Sequence, residues 1–213
     1  MGSPPLLRQP TVGQPIVAFD FDGTLTVRDS FTAFLRWRAG ARGWAVGLMK
    51  LAPELAEYTR HRDRGRLKAA AVARFLAGAS RADIERDAET FCADHWARLM
   101  RPDALACWHS WGERGAWRVI VTASPETTVA PFARRLAADA LLGTPLVFDD
   151  QDLVTGAFET PNCRGAEKVS RLHGAYGAEV RLAAAYGDTS GDTEMLAIAD
   201  APGFRVFRER PGA

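Results

Sequence analysis

Asp20 and Asp22 are the first residues whose type and spacing could do chemistry. They stand two apart in Asp20-Phe21-Asp22-Gly23-Thr24-Leu25-Thr26, at the carboxyl end of the apolar run Ile16 to Phe21. Residues i and i+2 of a strand share a face, so both carboxylates can enter one site. Two carboxylates that close repel unless a cation or a shared proton intervenes. The alternative is an Asp-containing turn that caps the next helix, with Gly23 making the turn. Three further strings add to the pair. Thr122-Ala123-Ser124 follows a second apolar run and precedes a helix starting near Pro125. That combination offers a hydroxyl and free backbone N–H groups to an anion, or serves as a plain N-cap. Lys168, in Asn162-Cys163-Arg164-Gly165-Ala166-Glu167-Lys168, is either a point positive charge for the site or a solvent-facing helical lysine. Gly187-Asp188-Thr189-Ser190-Gly191-Asp192 places two carboxylates four apart at a strand end. Such a pair suits a hard divalent cation such as Mg²⁺, which takes few protein carboxylates and keeps waters.

These residues need rigid supports. Ile16 to Phe21 and Arg118 to Thr122 are short continuous runs of strand formers, the pattern of strands covered on both faces in a parallel sheet. Leu182 to Tyr186 is a third such run, weaker because Ala183 to Ala185 are poor strand formers. Helical patterns fall at 103–114, 126–137, 164–175 and 191–199, and Leu146 to Phe158 reads as a β-hairpin flap around Asp149-Asp150-Gln151-Asp152. From about Phe31 to Met100 the pattern is helical, punctuated by Gly40, Gly43, Pro53, Gly65 and Gly78. Strand and helix otherwise alternate. The expected fold is therefore α/β: a doubly wound, Rossmann-like parallel sheet core, with a helical cap inserted after strand one. The expected division is a flexible leader over 1–14, a core over 15–29 and 101–213, and a cap over 30–100.

The 213 residues are 47% hydrophobic and 25% charged, which excludes a disordered, collagenous or coiled-coil chain. A formal net charge of +1 gives no global sign of a nucleic-acid partner. Cys92, Cys107 and Cys163 are odd in number and widely spaced, against a disulfide framework and a structural zinc. The start, Met-Gly-Ser-Pro-Pro-Leu-Leu, lacks the pattern of a signal peptide, and the stretch Trp44 to Ala56 is too short and too charged to span a bilayer. A cytoplasmic protein is expected, with a peripheral position on the inner membrane face as its variant.

In chain order the strings are DxD, a hydroxyl, a lysine and GDxxxD. Together they resemble the four motifs of the haloacid dehalogenase (HAD) superfamily over the span from about 16 to 207, and the helical insertion resembles its C1-cap class. The resemblance is closest to subfamily IB, the phosphoserine-phosphatase-like group. Its members with Asp-Phe-Asp-Gly-Thr-Leu-Thr, Thr-Ala-Ser-Pro-Glu and Cys-x-Gly-x-Glu-Lys include bacterial phosphatases of uncertain substrate and a phosphatidylglycerophosphate phosphatase. The resemblance implies a Mg²⁺-dependent phosphatase. Asp20 would attack phosphorus and form an aspartyl-phosphate, and Asp22 would protonate the leaving alkoxide and later deprotonate water. Mg²⁺ would be held by the Asp20 carboxylate, the Asp22 main-chain carbonyl and Asp188, while Asp192 would fix metal waters or Lys168. Thr122 and the Ala123 N–H would bind phosphate oxygens, with Ser124 a further candidate, and Lys168 would supply positive charge. An acid at position 22 separates this layout from the dehalogenases, whose halide leaves without a proton. P-type ATPases share the nucleophile motif but need transmembrane helices. A non-enzymatic alternative, a module phosphorylated on aspartate like a receiver domain, lacks by resemblance both the cap and the second acid. A silent lipid-binding relative would normally have lost one of Asp20, Asp22, Lys168 or Asp188.

The insertion is where a substrate would be chosen. Between Arg36 and Arg74 there are ten Lys or Arg against three acids, and Trp44, Leu48, Leu51, Leu55 and Tyr58 fall at helical spacing. That stripe packs the cap on itself or on a second copy in a homodimer, or meets anionic headgroups with tryptophan at the boundary. Phosphoserine phosphatases by resemblance carry Glu nine residues after the nucleophile and Asn in the fourth motif, where this chain has Asp29 and Gly191. Arg66 or Lys68 could hold a substrate carboxylate. The expected substrate is first an unspecified phosphomonoester, then a lysophospholipid or phosphatidylglycerol phosphate, then phosphoserine.

Overall fold

The computed structural model describes residues 9–61 and 64–212, the Arg64 side chain excepted. Residues 1–8 of the expected leader lie outside the described residues. Within residues 9–14, Gln14 N–H donates to Thr11 O, and Gln14 Nε2 donates to Gly115 O at 2.9 Å.

Five parallel strands form the sheet in the order β3-β2-β1-β6-β7, from Ala140–Thr144, Trp117–Pro125, Ile16–Phe19, Leu182–Gly187 and Ala199–Phe204. The continuous apolar runs behave as their composition requires. Val17 and Phe19 face one buried cluster, Ile16 and Ala18 the other, so helices cover both faces of β1. Residues 30–100, between β1 and β2, carry the helices α1 (Ser30–Lys50), α2 (Ala52–His61), α3 (Arg64–Phe75) and α4 (Arg81–Leu99). After them come α5 (Pro102–Glu113), α6 (Glu126–Arg135), α7 (Ala166–Tyr176) and α8 (Thr193–Ala197). The flap is an antiparallel hairpin of β4 (Leu146–Phe148) and β5 (Val154–Phe158). It leans on the insertion, where Gly156 at φ +95° lets its backbone approach Ala73 of α3.

Two strands differ from the sequence expectation. Ala140–Thr144 is rich in Ala and Leu and has no strand-like alternation, yet it extends the sheet beside β2. The helix expected over 191–199 shrinks to Thr193–Ala197, and Ala199 opens β7. Pro202 and Gly203 hide that strand, and both are tolerated because β7 is an edge. β2 runs through Pro125 with a register shift after Val121, so Thr122, Ala123 and Ser124 form the strand's irregular end, directly before α6 begins at Glu126 with Pro125 at its N-cap, as expected.

Inside the insertion, α1 begins where Asp29 Oδ1 accepts from Thr32 N–H at 2.6 Å, an N-cap. It bends at Gly40, whose φ of +64° suits glycine alone. A methyl group at Gly47 would overlap the Phe75 ring, so that glycine sets how closely α1 and α3 approach. Trp44 stacks on the same ring at 5.1 Å.

Candidate active site

β1 ends at Phe19, and Asp20 follows in extended conformation before the chain closes into one π-type turn, Phe21–Leu25. Gly23 makes that turn possible at φ +89°, and a methyl group there would overlap Asp188 Oδ2. The glycine thereby lets the first and fourth motifs meet. Asp20, Asp22, Asp188, Asp192, Lys168 and Ala123 all line one cavity of about 700 Å³.

At its floor Lys168 is 1% exposed and donates to Asp20 Oδ1 at 2.6 Å, Asp192 Oδ1 at 2.7 Å and Val121 O at 2.7 Å. Three acceptors meet its three protons. Burial alone would strip the charge from Lys168, but Asp20 and Asp192 more than offset that, and its pKa lies above the usual lysine range. The solvent-facing alternative for Lys168 is thereby excluded. Asp192 accepts on its other oxygen from Asp188 N, Thr189 N and Thr189 Oγ1. Burial would raise its pKa; Lys168 and those donors bring it below the usual value. With both oxygens engaged, Asp192 orients Lys168 and the loop before α8.

Asp20 Oδ2 accepts from Thr24 Oγ1 at 3.1 Å. Burial pushes the Asp20 carboxyl up to about 7 in spite of Lys168. Asp188 is raised as well, by burial and then by Asp192. Carboxyl atoms of Asp20, Asp188 and Asp192 lie within 4.8 Å of one another. Asp188 Oδ1 is buried with no hydrogen-bond partner, the state expected of an atom meant for a cation. A hard divalent ion such as Mg²⁺ fits this donor set.

Asp22 is held from both sides. Its Oδ1 accepts from Ser30 N at 2.7 Å and Ser30 Oγ at 2.6 Å, and its Oδ2 accepts from Ser124 Oγ. Burial, then Asp29, raises its pKa, while Lys68 and the two serines oppose the rise. Ser124, expected at the phosphate, is fully buried against Asp22 and Lys68 and carries that acid instead. Thr122 is also fully buried, its Oγ1 accepting from Ser124 N–H at 3.0 Å, while Ala123 lines the cavity. Of the candidates in the insertion, Lys68 Nζ lies 3.9 Å from Asp22 and 3.8 Å from Asp29, and all three line the cavity. Arg66 does not; it pairs with Glu57 at 2.8 Å beside a separate, smaller cavity. Sequence reasoning missed Ser30, Thr24 and Asn162. Thr24 lies within the first motif and Asn162 within the lysine string, but nothing in the sequence marks Ser30 as a partner of a residue eight positions earlier.

The stripe Trp44, Leu48, Leu51, Leu55 and Tyr58 turns inward and lines the same cavity. It shares that lining with Asp20, Asp22 and Asp188, so α1 and α2 stand beside the carboxylate cluster. No helix among the described residues is long and apolar enough to cross a membrane.

A parallel α/β sheet with a carboxylate pair at the tip of β1 and a buried Lys bridging to the loop after β6 defines the class. Residues 17–197 match the family model described as haloacid dehalogenase-like hydrolase, and the chain belongs to that family. It is 56% identical over 211 residues to Protein CicA of Caulobacter vibrioides, covering 99% of this chain and 90% of that one. A protein of unknown function from Bordetella pertussis Tohama I has a crystal structure similar at TM-score 0.75 and 22% identity, over 89% of this chain and 88% of that chain. A phospho-aspartyl intermediate analogue of phosphoserine phosphatase is similar at TM-score 0.57 and 19% identity, over 89% and 85%. Both structural likenesses concern the fold.

Proposed function

We propose that the protein is a Mg²⁺-dependent phosphatase that hydrolyses a phosphomonoester through an aspartyl-phosphate on Asp20. The observation that carries this reading is the convergence of Asp20, Asp22, Asp188 and the charged Lys168 on one cavity. A phosphomonoester dianion repels a carboxylate, so positive charge must be in place before attack. Lys168 supplies one charge from below; a divalent cation held by Asp20 and Asp188 would supply more and favour the ionised form of Asp20.

Asp20 Oδ2 then forms a bond to phosphorus while the bond from phosphorus to the leaving oxygen breaks. Asp22, its pKa raised by burial and by Asp29, gives a proton to the departing alkoxide. In the second half a water attacks the aspartyl-phosphate, Asp22 takes the water's proton, and Asp20 is released as carboxylate. Ser30 and Ser124 hold Asp22 in one orientation for both steps. The Ala123 N–H at the rim is the donor offered to a phosphate oxygen. The residues 30–100 act as the cap over a core of 15–29 and 101–213.

Asp20→Asn is the direct test. It keeps the shape of the side chain and removes the nucleophile. Turnover of p-nitrophenyl phosphate should fall by about 10⁴-fold or more in a chain that still folds. Chelation of the wild type should silence it and added Mg²⁺ should restore it. Hydrolysis that survives both treatments places the chemistry elsewhere.

A further inference from the structure

The cavity above the carboxylates is far larger and more apolar than a phosphate group needs. Its wall is α1, α2 and α3, which present Trp44, Leu48, Leu55, Tyr58, Leu67 and Phe75. Each of these six is only half-buried; Trp44 and Phe75 stack on each other and on the core, while Leu48, Leu55, Tyr58 and Leu67 pack against neither buried cluster of the described residues. Helix α2 makes the point most sharply: an amphipathic helix of ten residues, it buries none of them, and its Leu55 and Tyr58 look into the cavity. A helix ordinarily orders itself by burying its apolar face. The polar groups the insertion offers are few. Lys68 is already spent on Ser124 at 2.9 Å and on Asp22 and Asp29, and Asp29 caps α1. A volume of about 700 Å³ lies within the range of sites that enclose a whole organic ligand.

We infer that the leaving group is an apolar chain: the substrate is a phosphomonoester whose alcohol carries an aliphatic tail that lies along α1 and α2, with its phosphate on Asp20. This rests on the phosphatase reading of the same site. It places the choice of substrate in Leu48 and Leu55, and it predicts that small, doubly charged alcohols such as serine are poor leaving groups here.

Binding of alkylphosphonates, which cannot be hydrolysed at the phosphorus–carbon bond, tests the inference apart from catalysis. With the wild-type chain and Mg²⁺, each methylene buried against this wall should tighten binding about fourfold, so that decylphosphonate, with about half of its additional methylenes buried, binds at least about 100-fold more tightly than ethylphosphonate below its micellar concentration. Leu48→Gln with Leu55→Gln should cut that ratio at least about tenfold. Met49→Gln, on the exposed face of the same helix, should leave it unchanged. A ratio near one in the wild type, or tighter binding of phosphoserine than of decylphosphonate, overturns the inference. Loss of p-nitrophenyl phosphate turnover alone would instead overturn the phosphatase reading. Dodecyl phosphate offered as monomer or diluted in phosphatidylcholine vesicles separates the two sources of such an ester. Faster hydrolysis from vesicles assigns a bilayer source and faster hydrolysis of monomer a dissolved one; equal hydrolysis of dodecyl and ethyl phosphate in both forms overturns the apolar chain.

Discussion

The floor of the cavity and its roof are built on opposite principles. At the floor the charged groups hold one another: Lys168 is saturated by Asp20, Asp192 and Val121 O, and Asp192 by Lys168 and the Asp188–Thr189 backbone, while Asp188 Oδ1 is left for a cation. Such a network holds its members to a single geometry, and each charge is tolerated in the interior only because the others are present. The roof meets the floor through a polar side chain, Lys68, which reaches Ser124, Asp22 and Asp29. Its apolar side chains stay half-covered on helices that meet the rest of the molecule through few buried residues. One region fixes the chemistry, and the other can change its lining without disturbing it.

The largest effect should come from breaking the floor. Lys168→Met leaves two buried carboxylates without their cation, a loss of about 3–5 kcal/mol, and should lower the melting temperature by about 10 °C or more while removing activity. Calorimetry and turnover measured together check this. An active Lys168→Met variant of unchanged stability would mean that the floor is not the rigid half of the molecule.

Gly23→Ala should act on chemistry next, and through one contact. Its methyl group would strain a positive-φ turn and push into Asp188, driving it away from Asp20, the carboxylate with which it would hold a cation. The Mg²⁺ concentration for half-maximal activity should rise by about tenfold or more, read from a metal titration. An unchanged titration would remove Asp188 from the cation.

Ser124→Ala should give the smallest change and the most specific one. Ser124 donates to the ionised form of Asp22 and so holds its pKa down against burial. Without that donor the pKa of Asp22 rises further. The acid stays protonated to higher pH, and the alkaline limb of the kcat/KM profile should move upward. A shift downward would show that Ser124 favours the neutral form.

How far the sequence announced this arrangement varies with the distance over which each contact acts. Asp20, Asp22, Lys168, Asp188 and Asp192 were legible because each sits in a short string next to a strand or helix whose periodicity places it. The buried strands β1 and β2 were legible for the same reason. β7 was not, since an edge strand tolerates Pro202 and Gly203, which read as loop. The serine partners of Asp22 were hidden because Ser30 is brought there by the π-type turn and Ser124 by a shift in the β2–β3 register. The stripe on α1 and α2 showed its spacing but not its direction. Helical periodicity identifies an apolar face; only the bend at Gly40 and the Gly47–Phe75 approach turn that face onto the cavity.

The central claim is a phosphorylated aspartate, and it can be caught. Rapid acid quench of the wild-type chain during turnover of p-nitrophenyl phosphate with Mg²⁺, followed by borohydride reduction and peptide mass analysis, should find the phosphoryl-dependent reduction product at Asp20 and nowhere else. Recovery of that product at another residue, or none during demonstrated turnover while a phosphorylated standard survives the same work-up, would contradict the account.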